Sequence, residues 1–130
     1  MAKTPVALKV DGLTEREVLK VTYSFNQAIT IEGQTSGIPR GGNITIRVKA
    51  LNDGNPDLFN WMVHPDLAMN GVIEFHETKT GSLMKKIEFT DAFCINFVEM
   101  WEDNVGHYEE IILSCREIKN GPVNFTNDWA

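Results

Sequence analysis

Cysteine is scarce in this chain: Cys94 and Cys115 are the two among 130 residues. Their spacing matches neither a metal-ligand nor a redox pair, which argues against a disulfide framework or a zinc site and leaves two small buried thiols. Basic residues are outnumbered, 12 Lys and Arg against 18 Asp and Glu, for a net charge of -6 and a pI near 5.0. That balance offers no cationic footprint for a phosphate backbone or an anionic bilayer, so neither nucleic acid nor membrane insertion is expected. No apolar run of signal-peptide length follows Lys3, and none approaches spanning length. The expectation is a chain folded in the cytoplasm that, if it leaves the cell, leaves without a classical signal. Histidine is equally sparse. His64, His76 and His107 form no pair at metal-binding spacing, and no metal or cofactor is expected.

What is present is an ordinary folding composition, 42% hydrophobic and 23% charged, of a length that suits a single domain over residues 1–130. Val6, Leu8 and Val10 alternate with Ala7 and Lys9 and stop at Asp11-Gly12, which predicts a first strand. From Val18 to Ile31 the pattern sets Leu19, Val21, Tyr23 and Phe25 opposite Lys20, Thr22, Ser24 and Asn26, a long half-buried strand that over Gln27 to Ile31 either extends or bends with a bulge. Ile44, Ile46, Val48 and Ala50 alternate with Thr45, Arg47 and Lys49 in a third. Asn55, Pro56 and Asp57 supply helix-start chemistry, and His64-Pro65 stops the short helix whose apolar side is Leu58, Trp61 and Met62 with Phe59 and Val63. Further strands are predicted at 72–77, 83–89, 91–101 and 107–118, with turns at Lys79 to Ser82 and Glu102 to Gly106. If Asp103 and Asn104 form that last tip, Cys94 and Cys115 fall within a residue of facing each other. The fold class is mainly β, an antiparallel barrel of about eight strands with one flanking helix; closure is favoured because a single helix cannot cover open edges.

No catalytic constellation appears. Ser114 and Cys115 lack a nucleophile elbow, and the glycines near Arg40 lead into a strand instead of a phosphate-binding helix. Glu99, Glu102, Asp103, Glu109 and Glu110 crowd the last hairpin and read as a solvated face, with Lys79, Lys85, Lys86, Arg47, Lys49 and Arg116 as partners across a subunit boundary. The segment from Glu32 to Gly42 is long, aperiodic and rich in glycine, a functional loop by its length. A protruding loop, uncovered strands and no reaction centre are explained together by self-assembly.

The opening strand, VLKVTYSFNQAI, EGQTSGIPRGG with NITIRVKAL, the helix after NDGNPD, and the pair IEFTDAFCINFVEMWED and HYEEIILSCREI together give a layout that resembles the Hcp, or TssD, family, the tube subunit of the bacterial type VI secretion system. The resemblance spans the whole chain, which is shorter than better-known members and lacks their usual opening. It implies a phage tail-tube-like barrel that forms hexameric rings stacked into a hollow tube, with a sheath, a spike and small effectors as partners and secretion through the apparatus. It also implies that the loop residues Gly33, Gln34, Thr35, Ser36, Gly37, Ile38, Pro39, Arg40, Gly41 and Gly42 contribute subunit contacts. Two other classes compete. A small-ligand-binding barrel would need room inside, where Leu19, Val21, Phe25, Phe93, Phe97 and Trp101 are expected to fill the space. A hydrolase would rest on the carboxylates alone.

Overall fold

The structure, a computed structural model, describes residues 5–25, 42–51 and 53–127. Its elements are β1 (Val6–Val10), β2 (Arg16–Tyr23), β3 (Asn43–Lys49), α1 (Asp57–Val63), β4 (Met69–His76), β5 (Leu83–Glu102), β6 (Gly106–Asn120) and β7 (Val123–Thr126). The sheet runs β3-β2-β1-β4-β5-β6-β7, and pairing of β3 with β6 closes six of these strands into an antiparallel barrel with β7 appended to β6. The sequence count of about eight becomes six plus one. The expected strands 83–89 and 91–101 are one continuous β5, while the four residues of β7 are too short to show alternation.

Three bulges explain where period-two reading lost its phase. In β2 the register on β3 jumps between Val18 and Lys20, so Val18, Val21 and Tyr23 turn inward and Leu19 is left half exposed. In β5 the buried positions run Ile87, Phe89, then Ala92, Cys94, with Asp91 at φ 49 taking up the extra residue. A second β5 slip between Cys94 and Asn96 follows. Leu19, Phe25 and Trp101 therefore do not fill the barrel as expected: each is exposed, and Phe93 and Phe97 are only half-buried.

The interior is packed instead by Leu8, Ile44, Ile46, Val48, Ile73, Ile87, Phe89, Ile111 and Leu113, each at or below 1% exposure. Helix α1 packs against β5. Asn55 Oδ1 accepts from the Asp57 N–H at 2.9 Å, so the predicted polar start is present one residue ahead of Pro56, which holds the N-cap position. Leu58 and Trp61 enter the core, and the Trp61 indole donates to the Leu67 carbonyl at 2.9 Å, while Phe59 and Val63 stay exposed. His64, extended, ends the helix before Pro65.

Because every pairing is antiparallel, the connections segregate. Residues 11–15, 50–68 and 103–105 lie at one end of the barrel, here the hairpin end. The turns at 77–82 and 121–122, with the end of β2, lie at the other.

Candidate assembly surface

β5 and β6 pair from Ile87↔Asn120 to Glu102↔Gly106, but β4 accompanies β5 only as far as Ala92. The departure point is built: Asn70 Oδ1 accepts from the Asp91 N–H at 2.9 Å, and the left-handed Asp91 bends β5 away. From Ile95 to Glu102 the outer edge of β5 has no strand partner among the described residues. Ile95, Val98, Met100 and Trp101 on this overhang are 49%, 38%, 41% and 68% exposed. A long apolar strand edge without a strand partner is a template for another strand.

Several contacts hold the overhang rigid. Phe59 of α1 stacks edge-on against Phe97 at 5.6 Å. Arg47 reaches Glu110 at 3.1 Å and lies over the Tyr108 ring at 4.6 Å, and the Tyr108 hydroxyl donates to Met100 Sδ at 2.8 Å. His107 Nε2 sits 2.7 Å from Glu99 across the ribbon. Deeper, Arg16 of β2 is hydrogen-bonded to Glu109 of β6, both nearly fully buried, and it donates a longer contact to the Lys49 carbonyl at 3.4 Å. Arg16 Nε and Nη1 find no partner among the described residues.

Glu109 corrects the reading of the carboxylates as a solvated face. It stands in phase with Ile111 and Leu113, so it points inward and needs a buried counter-charge. Arg16, in phase with Val18, provides it. Opposite charges at two inward-phase positions were the available sequence signal. Among the expected basic partners, Arg47 pairs with Glu110 and Lys86 with Glu88 within the chain.

Away from this ribbon, Lys9 holds Glu74 at 2.9 Å. The hydrogen bond and charge of Glu74 raise the Lys9 pKa, and the same bond lowers that of Glu74 against the opposing effect of burial. Cys94 faces Leu113 and Cys115 faces Ala92, so the two thiols are offset diagonally, both free and buried. Burial pushes them up to about 11 and about 12. His64 contacts the Asn60 carbonyl, and His76 contacts Glu74 and the Gly81 carbonyl. Among the described residues no cluster of His, Cys, Asp and Glu could hold a metal.

Of the predicted contact loop, Gly33 to Gly41 lie outside the described residues. Gly42 is buried with φ +96, and its carbonyl accepts from the Cys115 N–H at 2.7 Å. A Cβ there would lie 2.0 Å from Asn127 Nδ2 and 3.0 Å from the Cys115 carbonyl, so the place demands glycine. The barrel interior, filled by its own side chains, gives the ligand-binding alternative no support.

A closed barrel that buries its own core, with one apolar strand edge left without a strand partner among the described residues, fits a self-associating structural subunit. Comparison with known proteins agrees. Residues 2–130 match the family described as hemolysin coregulated protein Hcp (TssD). A solved structure of Hcp1 from Flavobacterium johnsoniae superposes with a TM-score of 0.87 at 29% identity, covering 94% of this chain and 98% of that one. A type VI secretion system effector from Yersinia pestis gives 0.71 at 13% identity over 94% and 99% of the two chains. The secreted protein Hcp3 from Pseudomonas aeruginosa gives 0.62 at 13% over 98% and 99%. No curated protein sequence matches. The chain belongs to the Hcp (TssD) family: it is a structural tube protein of type VI secretion, self-assembling and not an enzyme.

Proposed function

We propose that copies of this chain join side to side through the β5 overhang into a hexameric ring, and that such rings form the hollow tube. The observation that carries this is the outer edge of β5 from Ile95 to Met100, apolar, without a strand partner among the described residues on that side, and braced by Phe59 and Arg16–Glu109. A strand edge joined to a different surface of its neighbour makes a heterologous contact, which closes into a ring when the rotation permits. The Gly33–Gly42 segment supplies a further subunit contact, in keeping with the family resemblance. The chain is folded in the cytoplasm, and the tube is driven by a sheath behind a spike, leaves through the secretion apparatus and carries small effectors.

The test is light scattering on purified protein. Val98→Lys, a charge on the strand edge, is expected to keep the monomer folded and abolish the ring. A Val98→Lys protein with unchanged mass would remove the edge from the account. Deleting Gln34 to Arg40 is expected to weaken assembly more than folding, and unaltered assembly would remove the loop.

A further inference from the structure

The two ends of the barrel differ in shape and in charge. At the hairpin end, Trp101 and Val105 project from the β5–β6 tip, 68% and 64% exposed. At the other end the chain has an open apolar groove of about 340 Å³ between the end of β2 and β7. Its walls are aromatic. Phe25 stacks edge-on with Phe125 at 4.6 Å and with Tyr23 at 6.2 Å, and Asn120 Nδ2 donates to the Tyr23 hydroxyl at 3.0 Å, fixing that ring. Val123, on its rim, is 69% exposed.

Charge runs the same way. The hairpin-end connections 11–15, 50–68 and 103–105 contain Asp11, Glu15, Asp53, Asp57, Asp66 and Asp103 and not one Lys or Arg. The groove-end turns 77–82 and 121–122 carry one acid and one base, Glu77 and Lys79. An acidic hairpin end repels a second hairpin end but not the balanced turns at the groove end, which favours head-to-tail over head-to-head approach.

Resting on the tube reading above, we infer that the hairpin tip of one copy docks Trp101 into the Tyr23–Phe25–Phe125 groove of the copy in the next ring. A knob and a groove at opposite ends of one molecule make a contact that propagates in a line without closing, which is what stacking requires. An aromatic side chain seated in such a groove buries about 150–250 Å², enough for a central anchor.

Cysteine cross-linking tests this directly, because the native thiols are buried. Val105→Cys and Val123→Cys are made singly and together, and each protein is oxidised at high concentration. The double variant is expected to give a covalent ladder extending past ring size. A mixture of the two single variants should give dimers only, and neither single variant should cross-link with itself. Adding Trp101→Ala to the double variant should cut the ladder about tenfold or more. Rings that form by light scattering but give no ladder, a ladder untouched by Trp101→Ala, or self-linking single variants would each overturn the docking. A chain that forms no ring at all would overturn the assembly reading instead, so the two failures are distinct.

Discussion

β3 and the overhang of β5 are built from the same kind of residue and meet opposite fates. β3 has a strand on each side, β2 and β6, and its Ile44, Ile46 and Val48 are completely buried. The overhang has β6 on one side and no strand among the described residues on the other, and Ile95, Val98, Met100 and Trp101 remain exposed. An apolar strand thus says that a surface will be buried, without saying by which chain. In β3 that burial happens on folding. In β5 the proposed ring contact would supply it.

The largest expected effect sharpens where the two regions meet. Glu109→Leu removes the counter-charge of the buried Arg16 and should destabilise the monomer by about 3–5 kcal/mol in urea unfolding. Adding Arg16→Met should restore much of the loss, since neither charge is then stranded. A double variant as unstable as the single would refute the pairing argument. Next, Ile46→Ala in β3 should cost about 2–5 kcal/mol, whereas Val98→Lys on the overhang should stay within about 0.5 kcal/mol while assembly is lost. Equal stability costs at the two positions would erase the contrast. Gly42→Ala, strained by its positive φ and blocked by Asn127 and Cys115, should cost about 1–3 kcal/mol by the same measurement.

Smaller effects lie in titration. With their pKa values pushed up to about 11 and about 12, Cys94 and Cys115 stay protonated at pH 8, and iodoacetamide should label them in native protein far more slowly than in urea. Glu74, lowered, contributes stability that is present above the ordinary carboxylate range and fades as pH falls through its folded value. Lys9, raised, contributes stability that is present below the ordinary lysine value and fades as pH rises through its folded one. Glu74→Gln should therefore flatten the acid side of the stability curve, and an unchanged curve would discount the pair.

Much of this was readable in the residues. Regular alternation in β3 placed Ile44, Ile46 and Val48 correctly, and the Asn55 to Pro65 punctuation bounded α1. Two of the differences share one cause. A bulge adds one residue and turns every later side chain over, so strict alternation places Leu19 inside and divides β5 at Thr90–Asp91. Glu109 was misplaced for another reason: its burial depends on Arg16, distant along the chain and brought close only when β2, β3 and β6 form the seam. The assembly edge was visible as apolar residues, but its exposure is decided by where β4 stops, a fact of topology.

The most direct test of the account is size-exclusion chromatography with light scattering, comparing the wild-type chain with Val98→Lys. The account predicts a discrete ring-sized multiple of 14.6 kDa for the wild type and a folded monomer for the variant. A wild-type chain that remains monomeric at high concentration would contradict it.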